Sequence, residues 1–337
     1  MSSTDTRSVE PRLSSPVDLR FKADWGQANL TRISGWLAQE IGDRSPMGST
    51  FSIHAGRAGI DAIEALRDGK VDIALVTPAA SGRLLYDGSG PAGHPAAPWL
   101  RSLGKITHRD RLVVAVDASL DAENVADLSA IADQLVIATS ADDGVNAIGL
   151  AAHYGLKLAG ADAQQLRRDG ARFLYDERPF PLVHAFATGS ANVIIQEAVM
   201  MPAWQHIADR RPVRYLEWGD AVIDGFAALG WPSAVIEKGY LPGQDRDLLT
   251  LDFADFLLLC REDLDDEVVY LATWCMVKTR LALEGQYRHI PADHTPVGYP
   301  QDPTEMQNTP VPLHESAQRA YRDLDGEGPL TDGLIWT

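Results

Sequence analysis

The stretch FSIHAGRAGIDAIEALRDGKVDIALV, residues 51–76, changes its hydrophobic pattern twice. The apolar segments FSIHA and VDIALV are typical of short strands, and IDAIEALRDG between them has the apolar spacing of an amphipathic helix. Short strands that alternate with helices favour a largely parallel sheet covered by helices. The stretch therefore predicts a β-α-β unit in an α/β protein.

The same alternation extends in both directions and then restarts. A strand VDLRFKA and a helix NLTRISGWLAQEIG precede the stretch, so the first hundred residues read β-α-β-α-β. A second series follows further along the chain, and it consists of QLVIATS, VNAIGLAAHYG, RFLYD, PLVHAFATG and NVIIQ. A chain of 337 residues exceeds the size at which one core stops growing. Two α/β lobes are therefore expected.

The predicted organisation is a flexible N-terminal arm followed by two lobes. The arm covers residues 1–16, the first lobe residues 17–111 together with 261–337, and the second lobe residues 112–260 including two extended crossings. The segment FLLLCRED near the end of the chain has the same pattern as LVVAVDAS, an apolar run followed by polar residues. LVVAVDAS marks the outgoing crossing between the lobes, and FLLLCRED marks the returning one. Open α/β sheets bind ligands at the carboxyl ends of their strands and at domain interfaces. A ligand cleft between the lobes is expected.

Composition excludes several classes of partner. The formal net charge is -17, from 47 acidic and 30 basic residues, and no cluster of Lys and Arg forms a basic face. Nucleic acid is excluded because binding it depends on cations that neutralise phosphates. No apolar run reaches the ~20 residues that span a bilayer. Cys260 and Cys275 lie in apolar runs without metal-type spacing, which indicates buried free thiols, and no cofactor or metal is predicted.

The N-terminus MSSTDTRSVEPRLSSP is polar and has no basic segment followed by an apolar one. A secretion signal needs that pattern. The sequence as written therefore predicts a cytoplasmic location.

Three segments resemble the TAXI family of solute-binding proteins of TRAP transporters. They are GYLPGQDRDLLTLDFADFLLLCREDLDDEVVY at 239–270, VPLHESAQRAY at 311–321 and EALRDGKVDIALV at 64–76, and the similarity spans residues 17–323. The resemblance implies a two-lobed type-2 periplasmic-binding-protein fold that closes on a small solute, often a carboxylate or amino acid. It also implies membrane transporter subunits as partners and, as the alternative location, the periplasm or the extracellular space.

One binding loop departs from the resembled family. That family usually carries a small hydroxyl residue and a Gly-Gly-Ser pattern there, whereas this sequence has Gly56-Arg57-Ala58-Gly59. Amide groups at a helix N-terminus favour anions, and a guanidinium can pair with a carboxylate through two hydrogen bonds. Arg57 is the residue most strongly predicted to hold a solute carboxylate.

The other candidate ligand-binding residues are polar or small residues next to strand ends. Those of the first lobe are Gln27, Asn29, His54, Ala58, Gly59 and Thr77. Those of the second lobe are Asp143, Gly144, Asn146, Gln196 and Glu197. Helix capping is an equal alternative for Gln27 and Asn29, and it is the favoured role for one of Asp142 and Asp143, which leaves the other for an ammonium group of the ligand. A carboxylate at position 197 needs a partner, for which Arg57 or a cationic group of the ligand is suitable.

Catalytic and nucleotide-binding motifs are absent from the sequence. GRAG lacks the GxGxxG spacing of a dinucleotide loop, and neither HExxH nor GxSxG occurs. The leading hypothesis is a receptor for a small carboxylate-bearing solute, which is an amino acid, a dicarboxylate or an aromatic acid. Two alternatives stay open at this point: a cytoplasmic enzyme that uses His54, Asp143 or Glu197 on a small organic acid, and a ligand-sensing subunit.

Overall fold

The computed structural model describes residues 10–24, 29–57, 59–199 and 201–330. Their strands form one five-stranded and one seven-stranded sheet. We call each sheet, with the helices packed on it, a lobe.

The first lobe contains strands from both ends of the chain. Its strands are β1 (Asp18–Lys22), β2 (Thr50–His54), β3 (Ile73–Val76), β4 (Leu100–Ile106) and β12 (Phe256–Arg261). Their order in the sheet is β2-β1-β3-β12-β4.

The second lobe is formed by the middle of the chain. Its strands are β5 (Arg111–Asp117), β6 (Val136–Thr139), β7 (Arg172–Tyr175), β8 (Val193–Glu197), β9 (Val213–Leu216), β10 (Ser233–Ile236) and β11 (Leu248–Asp252). The order is β10-β11-β5-β8-β6-β7, with β9 also paired to β5.

The helices divide between the same two lobes. Those of the first lobe are α1 (Asn29–Gly42), α2 (Ile60–Arg67), α3 (Ala79–Asp87), α9 (Asp266–Lys278), α10 (Arg280–Gly285), α11 (Pro303–Met306) and α12 (Glu315–Asp323). Those of the second lobe are α4 (Ala147–Leu158), α5 (Ala163–Arg168), α6 (Pro179–Ala187), α7 (Met201–Ala208) and α8 (Asp220–Ala227), preceded by a 3-10 helix (Val125–Gln134).

Two short crossings connect the lobes. Residues 107–110 lead from β4 into β5, and residues 253–255 lead from β11 back into β12. β1 pairs parallel with β2 and β3, as expected, but β12 runs antiparallel to both β3 and β4. The first sheet is therefore mixed, because the returning chain enters it from the side of the second lobe.

The central strands of each sheet are buried on both faces, so their side chains alternate between two cores. In β3, Ile73 and Leu75 pack in one cluster with α1 and α9, and Ala74 and Val76 pack in another with α2. The strands of the second lobe alternate in the same way between its two clusters. This double burial explains why strand sequences such as VDIALV are almost continuously apolar.

Some predicted boundaries differ from the observed contacts. β12 belongs to the first sheet, whereas the predicted second lobe extended to residue 260. Residues 10–16 of the predicted flexible arm pack on the first lobe: Leu13 is buried and its amide donates to the Arg44 carbonyl, while Ser14 hydrogen-bonds Glu267. The exact division into lobes stays a prediction.

Both cysteines are buried free thiols, as predicted. Burial raises the pKa of both thiols above the ordinary range. Within the described ranges, no helix combines the length and the apolar character needed to cross a membrane.

Candidate functional site

A cavity of about 230 Å³ lies between the lobes, next to the crossings. Residues from the first lobe, from the crossings and their ends, and from the second lobe line it. They are Asp24, Asn29, Leu30, Arg32, Arg57, Thr77, His108, Asp110, Phe253, Phe256, Asn146, Ala147, Ile148, Glu177, Pro179, Phe180, Glu197 and Val199. Apolar walls with a few polar groups are typical of a small-molecule site.

Five of the predicted residues line this cavity: Asn29, Arg57, Thr77, Asn146 and Glu197. The amides also have structural tasks. The Oδ1 atom of Asn29 accepts a hydrogen bond from the Tyr287 hydroxyl, and that of Asn146 caps α4 by accepting from the Gly149 amide. The Thr77 hydroxyl is buried and has no hydrogen-bond partner among the described residues.

The other predicted residues lie outside the cavity or outside the described part of the chain. His54 is exposed on the edge strand β2, near the Ser52 hydroxyl, and Gln196 is fully buried with its Oε1 accepting from the Glu197 amide. Gln27 and Ala58 are not among the described residues.

Three predicted residues lie instead in contacts between the lobes. The amide of Ile60, next to Gly59, donates to the Val145 carbonyl at 3.3 Å. The Gly144 carbonyl is 2.8 Å from Nε2 of His94, which belongs to the first lobe. Asp143 pairs with Arg57. These residues therefore mark where the lobes touch.

The predicted anion site at the start of α2 is already occupied by a carboxylate of the chain. Asp61, in the first turn of α2, accepts hydrogen bonds from the amides of Arg57 and Gly59, and Lys22 lies 3.4 Å from it. The amides there are consequently turned toward Asp61. The anion-binding group that this loop presents to the cavity is the Arg57 side chain.

Arg57 spans the gap between the lobes. Its Nη1 is 2.6 Å from Oδ2 of Asp143, and its Nη2 is 2.6 Å from Oε1 of Glu177. Asp143 is fixed by its own turn, since Oδ1 accepts from the amides of Val145 and Asn146. Within the described part of the chain, no backbone amide donates to the Glu177 carboxylate, and its side chain is 63% exposed. Glu197, suggested as a partner of Arg57, is not part of this cluster.

Apolar contacts close the lobes on the other side of the GRAG loop. A small gap there is lined by Ile60 and Leu84 from the first lobe and by Leu150 and Trp231 from the second. Leu84 belongs to the same buried cluster as Leu150 and Trp231. The structure is therefore that of a closed cleft.

The inner part of the cavity contains two acids on neighbouring strands. Asp110 precedes β5 and Glu197 ends β8, and these strands pair with Leu112 opposite Glu197. Burial, followed by the proximity of Glu197, raises the pKa of Asp110 well above its usual range. Burial raises the pKa of Glu197 to about 7.

The crossings are tied together beside these acids. The Asp255 amide donates to Nδ1 of His108 at 2.6 Å, and Oδ1 of Asp255 accepts from the His108 amide at 3.1 Å. Its Oδ2 is 2.6 Å from the Lys105 ammonium. His108 stacks on Phe256, and burial lowers the pKa of its imidazole to about 3, so the ring is neutral.

Sequence reasoning missed the crossing residues and the loop after β7. His108 and Asp110 are polar residues that directly precede the apolar strand β5. Polar residues at the start of the first strand of the second lobe could have indicated a position at the junction of the lobes. Glu177 follows β7, and the rule that loops after strands face the cleft would have selected it. Phe253 and Phe256 carry no signal beyond their apolar character.

Most of the sequence matches one known protein family. The model of the NMT1-like family matches residues 35–324. The chain belongs to the NMT1-like family. No curated protein sequence matches this NMT1-like protein.

Solved structures show the fold of the NMT1-like protein. PhnD1 from Prochlorococcus marinus, in complex with methylphosphonate, is 10% identical with a TM-score of 0.50, covering 92% of this chain and 99% of its own. The periplasmic aliphatic sulphonate binding protein SsuA from Escherichia coli is 15% identical with a TM-score of 0.41, covering 92% and 84%. A structure described as a periplasmic transporter is 17% identical with a TM-score of 0.48, covering 91% and 94%.

The similarity to PhnD1, together with the two sheets of the chain, confirms the predicted two-lobed periplasmic-binding-protein fold.

Proposed function

We propose that this NMT1-like protein binds a small carboxylate-bearing solute in the cavity between its lobes, as a TAXI-like receptor. The solute is an amino acid, a dicarboxylate or an aromatic acid, and no cofactor takes part. Delivery to membrane transporter subunits belongs to the same proposal.

The observation that carries the proposal is the position of Arg57. The guanidinium lines the cavity and holds one carboxylate on each of its two Nη atoms, those of Asp143 and Glu177. Because Glu177 is largely exposed and weakly supported, a solute carboxylate can take its place at Nη2 while Asp143 keeps its own pair. Bidentate guanidinium sites suit planar carboxylates.

Closure follows from contacts to both lobes. Arg57 belongs to the first lobe, and Asn146 and Glu197, which also line the cavity, belong to the second. A solute that touches both sides interacts better with the closed form than with the open one. Such a solute shifts the population toward closure.

Replacement of Arg57 by alanine is expected to weaken carboxylate binding by at least about 30-fold, since losing one partner of a desolvated charge pair costs ~2 kcal/mol or more. Glu177→Gln is expected to strengthen binding several-fold because it removes the competing carboxylate. Calorimetric titration with the tightest binder from a panel of amino acids, dicarboxylates and aromatic acids measures both effects.

Arg67→Ala is the matched control, because Arg67 ends α2 with its side chain 53% exposed. Its affinity should equal that of the wild type. Full affinity in Arg57→Ala would contradict the proposal.

The cellular location stays a prediction. N-terminal composition predicts the cytoplasm, and the family resemblance implies the periplasm or the extracellular space. Fractionation of the producing cells separates these locations, and export would support delivery to a transporter.

A further inference from the structure

Among the described residues, no side chain forms a hydrogen bond or an ion pair with the carboxyl group of Asp110 or of Glu197, although both residues line the cavity. Asp110 is 1% exposed, and its Oδ1 accepts from the amides of Arg111 and Val199. Its Oδ2 is buried and, within the described residues, has no hydrogen-bond partner. This atom belongs to a residue that lines the cavity.

The positive charge of Arg111 partly offsets the burial that raises the pKa of Asp110, but its Nη1 atom makes hydrogen bonds to acceptors other than this carboxyl group. The Nη1 atom of Arg111 is 2.9 Å from Asp252 and 2.5 Å from the Asp110 backbone carbonyl. No hydrogen bond or ion pair of the Glu197 carboxyl group occurs within the described ranges, and burial is the cause of its raised pKa. Burying a carboxyl group without a partner is costly. A positively charged group of a ligand would provide the partner that the described residues do not provide.

We propose that Asp110 and Glu197, with the Thr77 hydroxyl of the same cavity, form a subsite for a protonated nitrogen of the solute. This inference rests on the proposed function, because it assigns the second end of the same cavity. An ammonium group can donate several hydrogen bonds to the two carboxylates, and its positive charge compensates their negative charges. The solute is thus a zwitterion with its carboxylate toward Arg57 and its nitrogen toward Asp110 and Glu197.

The two charges of this solute lie apart on the molecule. Arg57 follows the edge strand β2, whereas Asp110 lies in the crossing that follows β4, the opposite edge strand and four strands away in the order of the first sheet. Four strand spacings amount to ~19 Å before the side chains extend inward. An α-amino and α-carboxylate group on one carbon cannot reach both ends, and the intervening wall, with Leu30, Ile148 and Phe253, suits an apolar spacer.

Matched probes test the subsite. The probes are 4-aminobutanoate, 5-aminopentanoate and 6-aminohexanoate, each compared by calorimetry with the monocarboxylate of equal length and with the dicarboxylates glutarate and adipate. At least one amino acid of the series should bind at least about 30-fold more tightly than its nitrogen-free counterparts. Nitrogen-free acids that bind as tightly would overturn the inference.

Glu197→Gln and Asp110→Asn should reduce that preference to a few-fold. Arg57→Ala should instead weaken all carboxylates together while leaving the nitrogen preference in place. An unchanged preference in both acid variants would overturn the subsite alone. Failure of every probe to bind the wild type would overturn the subsite and the proposed function together.

Proton release provides a second readout. A cationic nitrogen needs ionised acids, so binding at pH 6 should release up to about one proton, seen as a dependence of the heat on buffer ionisation enthalpy. Proton uptake on binding would mean that the acids act as hydrogen-bond donors, and it would overturn the inference. The charged and titratable groups around the acids are Arg111, Asp252, His108 and Tyr240, and, among the other residues that line the cavity, Asp24, Arg32, Arg57 and Glu177.

Thermal stability separates this role from ordinary packing. The native pKa of Glu197 lies above its unfolded value, so the stability that Glu197 contributes is present at low pH and is lost as pH rises through about 7. Glu197→Gln lacks this loss, and its melting temperature should exceed that of the wild type by a few degrees at pH 8 and by less at pH 5. A variant that is less stable at both pH values would contradict a ligand-directed role.

Discussion

Replacement of Gly59 by alanine is expected to lower solute affinity by about 100-fold or more while leaving the fold intact. A Cβ atom at this position would lie 2.2 Å from the Val145 carbonyl oxygen, which belongs to the opposite lobe. No such contact is tolerated, so the lobes cannot approach to the observed distance. A solute would then reach one lobe only, and a loss of ~3 kcal/mol corresponds to that fold-change.

Two measurements check this expectation. Titration with the tightest probe gives the affinity, and small-angle scattering gives the radius of gyration with and without that probe. The wild type should contract when the probe is added and Gly59→Ala should not, whereas their melting temperatures without the probe should be similar. Gly285→Ala is the control, since no atom lies within 4 Å of its added Cβ. Normal affinity and contraction in Gly59→Ala would show that closure does not require this contact.

Asp255→Ala is expected to lower the free energy of unfolding by about 3 kcal/mol, because it removes the carboxylate that links one crossing to β4 and to the other crossing. The Lys105 ammonium, in a side chain only 13% exposed, would lose its carboxylate, and the His108 amide would lose its acceptor. Asp255 also has a backbone φ of 71°, a region that alanine rarely adopts and asparagine tolerates. Asp255→Asn keeps the acceptor and should lose about half as much.

Urea denaturation measures this effect, with Asp263→Ala as the control. Asp263 pairs with Arg261 at the surface, with side chains 62% and 40% exposed, and such pairs contribute ~0.5 kcal/mol or less. If Asp255→Ala and Asp263→Ala unfold at the same urea concentration, the two crossings are not held together by Asp255.

Much of the fold could be predicted because the hydrophobic pattern of each segment agrees with the burial of the helix or strand that it forms. The predicted helix at residues 29–42 coincides with α1, and VDIALV contains β3, a strand buried on both faces. FLLLCRED was recognised as the returning crossing, but its pairing with β3 and β4 depends on contacts more than a hundred residues away. Periodicity describes local order and carries no information on such partners.

The candidate site could be predicted in part for a similar reason. The rule that strand ends face the cleft found Arg57, Thr77, Asn146 and Glu197, all of which line the cavity. That rule does not reveal which groups are already satisfied within the chain. The Asp61 carboxylate accepts hydrogen bonds from backbone amides of the GRAG loop, so these amides are not available to a solute. This contact depends on the three-dimensional position of one side chain, which the sequence pattern does not give.

Asp110 shows the opposite limitation of the sequence. It stands among charged residues in HRDR, where a solvated surface is the ordinary interpretation. Only the pairing of β5 with β8 brings it beside Glu197 and makes it part of the cavity. Its importance follows from long-range strand pairing rather than from its neighbours in sequence.

A crystal structure of the protein with the tightest-binding probe tests the central claim most directly. We expect the probe in the cavity between the lobes, with its carboxylate within hydrogen-bond distance of the Arg57 guanidinium in place of Glu177. Both lobes should contact it, and its nitrogen should lie beside Asp110 and Glu197. A probe bound outside this cavity, or in contact with one lobe alone, would contradict the proposed solute receptor.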